Sequence, residues 1–241
     1  MALRIVFFDC DGTLTPVKSS WQYVHERLGL WDRNADRFQR LFRAGKIDYI
    51  EFCRRDALLW KGVTEENVLE IVREIPYHDG VRETIQALRN EGVFTAVLST
   101  GLSLLVERVK KELGMSFAVA NELVADKGVL TGDIRISVAH DLAPGAAGAP
   151  KNGREKCAAA QARPSCELRH KGYWVKKVLG DRGLRKEESA AVGDGEGDRG
   201  MFEEAGVAIG YHPSAKALPF LHHALYKGSF KSVFEVLRAH G

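Results

Sequence analysis

Residues 3–15 have the sequence LRIVFFDCDGTLT, and this stretch decides the fold. Residues 3–8 form an almost uninterrupted apolar run, rich in Val, Ile and Phe, which is typical of a strand buried on both faces. Asp9 and Asp11 follow the run closely, and Gly12 allows the chain to turn sharply. Ligands bind outside the carboxyl ends of strands in open α/β sheets, so both carboxylates are candidates for chemistry. A surface turn is the alternative, because Asp-Gly is a common turn pair.

Three further polar stretches follow or begin other predicted elements. Residues 93–98 form a second apolar run, and STG follows at 99–101, before a predicted helix. Lys171 begins another helix, and GDGEGD at 193–198 follows a short apolar strand. The alternation of helix, glycine and buried strand predicts an α/β fold with a doubly wound parallel sheet. Such a sheet brings these stretches to the edge where the first two aspartates lie.

The ordered set of motifs resembles the haloacid dehalogenase superfamily, in its aspartate-nucleophile phosphatase branch. The set consists of DxDGTLT at 9–15, STG at 99–101, Lys171, and GDGxxD at 193–198. The run FAVAN, followed by GVLTGD within residues 117–133, is similar to phosphoserine phosphatases and their relatives. The resemblance covers nearly the whole chain and implies a Rossmann-like core.

The chain between the first motif and the second strand contains helical patterns and no strand pattern. Ser19, Asp48 and Thr64 are typical N-cap residues, and each precedes apolar residues at helical spacing. A further helix is expected over about residues 34–44. Four short helices in succession predict a bundle-like insertion at residues 16–77.

The resemblance places a helical cap, which closes over the site, at this insertion. We therefore expect a catalytic core made of residues 1–15 and 78–241, with a small helical-bundle cap at 16–77. Residues 137–170 interrupt the alternation of strands and helices with many small residues. A loop of this length is usually functional or disordered, so we expect a flexible insertion, either a mobile flap or an unstructured tract.

Composition and charge exclude several classes of protein. The chain has 241 residues and a net charge of +3, with acidic and basic residues mixed along it. This pattern lacks a nucleic-acid footprint, and no apolar stretch approaches the ~20 residues of a membrane span. No signal-peptide pattern opens the chain. We expect a cytoplasmic protein with neither nucleic acid nor membrane as partner, and the sequence leaves its oligomeric state open. The cysteines, which lack metal-ligand spacing, are Cys10, Cys53, Cys157 and Cys166.

The resemblance implies roles for the two aspartates of the first motif. Asp9 would be the nucleophile that forms an aspartyl-phosphate, which is a known covalent strategy. Asp11 would protonate the leaving oxygen and then take a proton from the water that hydrolyses the intermediate.

The resemblance also implies a magnesium ion and a set of phosphate-binding groups. The implied metal ligands are Asp9, the backbone carbonyl of Asp11, and Asp194, with Asp198 either a ligand or placed behind the ligands. The implied phosphate-binding residues are Ser99, Thr100, Gly101 and Lys171. An alternative interpretation stays open for two of these residues. In it, Lys171 is an ordinary solvated lysine and Asp198 only caps a helix.

Two positions depart from the pattern of phosphoserine phosphatases. Those enzymes usually hold the amino acid end of their substrate with a Glu after the first motif and an Arg in the cap. Lys18 and Asp56 occupy these positions, so the charges are reversed. A site built to bind charged groups rejects ligands that lack the complementary charge. We therefore expect Mg²⁺-dependent hydrolysis of a different small phosphorylated metabolite.

Two other classes of function are compatible with the same motifs. A phosphotransferase or sugar-phosphate mutase uses the same aspartyl-phosphate but excludes water from it. A non-catalytic scaffold that binds a phosphorylated ligand is the third class, although all four motif positions are filled.

Overall fold

The structure is a computed structural model, and it describes residues 2–140 and 169–240. Most of the predicted insertion at 137–170 therefore lies outside the described residues. Cys157 and Cys166 also lie outside them. The two described cysteines, Cys10 and Cys53, are buried free thiols.

The core is a seven-stranded sheet whose strand order is β4-β3-β2-β1-β5-β6-β7. The strands are β1 (Ile5–Phe8), β2 (Phe94–Leu102), β3 (Phe117–Asp126), β4 (Val129–Arg135), β5 (Ser189–Gly193), β6 (Val207–Tyr211) and β7 (His223–Leu225). Neighbouring strands are parallel except β3 and β4, which form a hairpin. The predicted fold class is confirmed, and the predicted first strand is the central one.

Helices cover both faces of this sheet. They are α1 (Ser20–Arg27), α2 (Asp36–Arg43), α3 (Tyr49–Leu59), α4 (Glu65–Arg73), α5 (Val81–Asn90), α6 (Ser103–Leu113), α7 (Lys171–Asp181), α8 (Arg199–Glu204) and α9 (Lys231–Ala239). Val6 and Phe8 of β1 pack in a cluster with α5, α6 and α9. Ile5 and Phe7 point to the opposite face and pack with α7 and α8. Burial on both faces explains why the strand is apolar at every position.

The described helices are short. The longest have 11 residues, which corresponds to about 16 Å of helix. Within the ranges that the structure describes, no helix is both long and apolar enough to cross a membrane.

Helices α1–α4 lie between β1 and α5 in the chain, as the sequence predicts. The side chains of Ser19, Asp48 and Thr64 each accept a hydrogen bond from a backbone N–H in the first turn of the helix that follows. A π-helical turn at Trp31–Ala35 precedes α2, which begins at Asp36, two residues after the predicted start. We refer to residues 16–77 as the cap segment, and we propose that it forms a unit separate from the core.

Strand β2 is longer than the sequence predicts. Its expected end was Leu98, but the extended backbone continues to Leu102 and α6 begins at Ser103. The register against β3 shifts between Leu98 and Leu102, so this end of the strand departs from regular pairing. The Ser-Thr-Gly motif lies in this irregular end, which projects from the sheet edge towards the cap segment.

Candidate active site

A cleft of about 760 Å³ lies between the cap segment and the carboxyl ends of the strands. The predicted residues that line it include Asp9, Asp11, Lys171, Asp194 and Asp198. They come from the ends of β1 and β5 and from the start of α7. Strands β1 and β5 are neighbours in the sheet, which is why motifs about 180 residues apart in the sequence meet.

Lys171 lies at the centre of the cluster and only 2% of it is exposed. Its ammonium forms an ion pair with Asp9 and lies 2.6 Å from Asp198 Oδ1. Burial disfavours the charged lysine, but the neighbouring carboxylates of Asp198 and Asp9 outweigh this effect and raise the pKa of Lys171. The lysine is therefore a buried cation of the site, and the alternative of a solvated lysine is wrong.

Asp198 holds the loop that follows β5. Its Oδ2 accepts hydrogen bonds from the backbone N–H groups of Asp194 and Gly195, both at 2.9 Å. Its Oδ1 accepts from Lys171 Nζ. Both oxygens are thus engaged by the protein, which favours a positioning role for Asp198 over direct binding of a ligand.

The carboxylates of Asp9, Asp194 and Asp198 form a compact acidic group. One oxygen of each lies within 4.8 Å of one oxygen of the other two. Burial and the charge of Asp198 raise the pKa of Asp9 well above its usual range. The same two causes raise the pKa of Asp194 to about 6. These three carboxylates face two ammonium groups, those of Lys171 and Lys18, so the group is short of positive charge and its oxygens suit a hard divalent cation such as Mg²⁺.

The two carboxylate oxygens of Asp11 have different surroundings. Its Oδ2 accepts hydrogen bonds from the backbone N–H and the hydroxyl of Ser20, at 2.8 and 2.7 Å. Its Oδ1 is buried and has no hydrogen-bond partner in the part of the chain that the structure describes. Burial raises the pKa of Asp11, although the two bonds from Ser20 act against it. A carboxyl group in this environment is suited to carry and donate a proton.

The Ser-Thr-Gly motif lies directly beside Asp11. Thr100 and Gly101 line the cleft, whereas Ser99 is buried beneath them and its hydroxyl oxygen accepts a hydrogen bond from Gly101 N–H. A Cβ atom at residue 101 would lie 2.7 Å from Asp11 Oδ2 and 3.1 Å from Ser99 Oγ. Only glycine therefore allows the motif to approach Asp11 this closely.

Asn121 is a functional candidate that the sequence reasoning did not select. Its amide donates to the carbonyl oxygen of Thr100 at 3.0 Å, and its Oδ1 accepts from the backbone N–H groups of residues 137–138. Tyr49 and Trp21 of the cap segment donate to the same Thr100 carbonyl. The sequence signal is a polar residue within the apolar run of a core strand, because a buried amide needs several hydrogen-bond partners.

We expect Asn121→Ala to lower the free energy of unfolding by about 3 kcal/mol or more, because it leaves several buried backbone groups without partners. Urea denaturation of both proteins measures the difference. Asn90→Ala is the matched control, since Asn90 is exposed at the end of α5, and its effect should stay within about 0.5 kcal/mol. Equal stabilities for the Asn121 variant and the parent would show that this network contributes nothing.

The cap segment supplies aromatic side chains to the other side of the cleft. Phe42, Tyr49 and Phe52 line it, together with His140 from the described part of the chain after β4. The sequence predicts these helices from apolar residues at helical spacing. Their helical spacing is the same whether the apolar side contacts other helices or a ligand, so the sequence does not distinguish the two cases.

The two predicted substrate-selecting residues have different positions. Lys18 lines the cleft, and its Nζ donates to Asp194 Oδ2 at 2.6 Å. Asp56 is 2% exposed and lies inside the cap segment, with its Oδ1 3.7 Å from Nε2 of His25. The other nitrogen of His25 accepts a hydrogen bond from Trp60. The expectation that Asp56 faces the substrate is therefore corrected: it contacts the cap interior and does not line the cleft.

Comparisons with known proteins agree with this geometry. The family model for haloacid dehalogenase-like hydrolases matches residues 6–203. A phosphoserine phosphatase of Methanocaldococcus jannaschii is 27% identical over 208 residues, which cover 86% of this chain and 85% of that protein. One from Archaeoglobus fulgidus is 31% identical over 209 residues, covering 87% of this chain and 52% of that protein.

A solved structure of similar fold is described as a phospho-aspartyl intermediate analogue of phosphoserine phosphatase. It has a TM-score of 0.76 and 24% identity, and the match covers 98% of this chain and 99% of that chain. A substrate-bound phosphoserine phosphatase complex gives the same TM-score of 0.76. At this identity the likeness concerns the fold.

Proposed function

Because the chain belongs to the haloacid dehalogenase-like hydrolase family, we propose that it hydrolyses a small phosphomonoester through an aspartyl-phosphate on Asp9. The family match confirms the resemblance of the motifs, and the chain is a phosphoserine-phosphatase-like hydrolase of phosphoric monoesters. The observation that carries the proposed mechanism is the buried ion pair of Asp9 and Lys171, beside Asp11 and open to the cleft.

The first chemical step transfers the phosphoryl group to the protein. A carboxylate oxygen of Asp9 attacks phosphorus, and the bond between phosphorus and the ester oxygen breaks. Asp11 gives its proton to that leaving oxygen, so the product leaves as a neutral alcohol. The ion pair with Lys171 and a weak hydrogen bond from Thr13 at 3.5 Å hold the Asp9 carboxylate in one orientation.

The second step releases phosphate. Asp11, now ionised, takes a proton from a water molecule, and the water oxygen attacks phosphorus. The bond between phosphorus and Asp9 breaks, which regenerates the Asp9 carboxylate and the protonated Asp11. Inorganic phosphate leaves with the oxygen of that water, so the protein returns to its starting state.

The charge of the phosphoryl group is balanced by groups at the cleft floor. Lys171 supplies a fixed ammonium, and Thr100 and Gly101 of the Ser-Thr-Gly motif line the cleft, while Ser99 beneath them binds the Gly101 N–H and holds the motif in place. Asp9, Asp194 and the backbone carbonyl of Asp11 would hold Mg²⁺, while Asp198 keeps the loop and Lys171 in place. When bound, the ion supplies positive charge that offsets the charge of the phosphate and of the carboxylates.

Asp11→Asn should lower kcat by about 10²–10⁴-fold, the usual contribution of a positioned acid or base. The loss should be smaller for esters with good leaving groups, such as para-nitrophenyl phosphate, because these need little protonation. Steady-state kinetics on an alkyl and an aryl phosphate measure both effects. An equal loss on both esters would contradict the acid role of Asp11.

The proposed hydrolysis is tested by the release of inorganic phosphate from a panel of phosphate esters, with Mg²⁺ and without any acceptor other than water. A phosphotransferase or mutase releases little phosphate under these conditions, and a non-catalytic scaffold releases none. Phosphoserine belongs in the panel. Lys18 in the cleft opposes the substrate's ammonium group, so we propose that phosphoserine is not the preferred substrate.

A further inference from the structure

Part of the cleft is lined by aromatic rings, which we call the aromatic wall and define as Phe42, Tyr49, Phe52 and His140. Phe42 and Phe52 are stacked, with ring centroids 5.0 Å apart and planes 9° apart. His140 meets Phe42 edge to face at 5.8 Å and lies 6.3 Å from Tyr49. All four residues line the cleft that holds Asp9.

The aromatic wall does more than fill the cap interior. Phe42 and Phe52 are half-buried, so part of each ring is open to the cleft. The hydroxyl of Tyr49 is taken up by the Thr100 carbonyl and the Asn121 amide, so this ring offers the cleft mainly carbon. The cleft therefore combines carboxylates and a lysine with an apolar aromatic surface, and its volume of about 760 Å³ is in the range of sites for drug-sized ligands.

Most of the charged groups on the cap side already have a partner within the described residues. Lys18 is paired with Asp194, and Asp56 is buried in the cap interior. Asp48 accepts a hydrogen bond at the start of α3. Arg43, at the rim of the cleft, forms no ion pair with any residue in the described part of the chain. A guanidinium without a partner packs well on the face of an aromatic ring.

We propose that the substrate is the phosphate ester of an alcohol that carries an aromatic ring. The phosphate is bound at the Asp9 and Lys171 floor, and the ring packs against Phe42 and Phe52. Offset-stacked and edge-to-face ring pairs are favourable beyond the burial of apolar area, which gives such a ring an advantage over an aliphatic chain. This inference rests on the proposed phosphomonoesterase function of the same site.

The test compares three esters of primary alcohols, so that their leaving groups belong to one class. They are benzyl phosphate, propyl phosphate and phosphoserine, each assayed with Mg²⁺. We expect kcat/KM for benzyl phosphate to exceed that for each of the others by about tenfold or more, from ring packing together with apolar burial. Equal values for benzyl and propyl phosphate, or a higher value for phosphoserine, would overturn the inference.

Variants of the aromatic wall test which residues select the ring. Phe42→Ala and Phe52→Ala should each lower the ratio of benzyl to propyl kcat/KM about fivefold, since each removes one packing surface. The ratio is insensitive to a general loss of active protein. Tyr226→Ala is the matched control, because Tyr226 is an exposed aromatic residue, 54% accessible, that does not line the cleft. An unchanged ratio in both phenylalanine variants would contradict the role of the wall.

A binding measurement separates this inference from the function on which it rests. Benzylphosphonate and propylphosphonate join the benzyl or the propyl group to phosphorus through a P–C bond, so they cannot be hydrolysed. On the unaltered protein with Mg²⁺, calorimetry should give a Kd about tenfold lower for benzylphosphonate. If no ester releases phosphate, the proposed function fails, and the two Kd values still decide whether the cleft prefers a ring. Equal Kd values overturn the inference even when hydrolysis is observed.

Discussion

Asp9→Asn is expected to abolish hydrolysis, with a fall in kcat of about 10⁴-fold or more, the scale seen when a nucleophile is removed. The amide of asparagine is a poor nucleophile and cannot form the acyl phosphate. The near-isosteric change also removes one negative charge from a buried group in which Asp9, Asp194 and Asp198 lie within 4.8 Å. The folded state should therefore be at least as stable as that of the parent. Phosphate release and circular dichroism measure the two properties.

The covalent intermediate gives a second and more direct readout. The parent protein, mixed with a ³²P-labelled ester and quenched in acid, should retain label, and the Asp9 variant should not. Asp126→Asn is a suitable control, because Asp126 is exposed at the end of β3 and does not line the cleft. Labelling of the Asp9 variant, or substantial turnover by it with an unchanged spectrum, would place the nucleophile at another residue.

The elements predicted most accurately are those whose causes are local. The strand at Ile5–Phe8 follows from an apolar run that can be satisfied only by burial on both faces. Three of the cap-segment helices begin after the predicted Ser19, Asp48 and Thr64, because an N-cap needs only an oxygen placed near the next turn. The predicted start of α2 differs from the observed one by two residues, because the π-helical turn at Trp31–Ala35 has no such sequence signal.

The site residues were predictable where a motif gives both the position of a residue in the fold and its chemical role. A carboxylate directly after a buried strand must lie where the carboxyl ends of the strands meet, so the sequence predicts Asp9 and Asp194 in one place. The irregular end of β2 was not expected. Extended pairing to Leu102 depends on contacts with β3, which are not visible in the Ser-Thr-Gly motif itself.

The residues placed wrongly, or missed, depend on contacts between segments distant in sequence. Asp56 was matched to a substrate contact by its position along the chain, but its carboxylate lies beside His25, 31 residues away, inside the cap segment. Asn121 bridges the Thr100 carbonyl and residues 137–138, and none of these partners is adjacent to it in the sequence. Phe42 was missed because helical spacing does not show whether an apolar ring faces another helix or a cleft.

Removal of divalent metal is expected to abolish turnover completely, and addition of Mg²⁺ to restore it. At the floor of the cleft, Asp9 and Asp198 share the buried ammonium of Lys171, and Asp194 is paired with Lys18. A phosphate dianion brought to the same place meets strong repulsion unless more positive charge is present. Phosphate release before and after exhaustive dialysis against a chelator measures the effect. Full turnover by the dialysed protein would contradict a metal requirement.

Metal binding should also be visible without any substrate. A ligand that binds only the folded state stabilises it, by about 2.7 kcal/mol at a concentration 100 times its Kd, so Mg²⁺ should raise the Tm of the parent protein. Among the described residues, the Asp194 carboxylate is paired with Lys18 alone, so Asp194→Asn should lose most of the shift. Asp126→Asn should keep it, because this change also removes one negative charge but lies outside the cleft. A Tm shift of the same size in both variants would show that Mg²⁺ acts elsewhere on the protein.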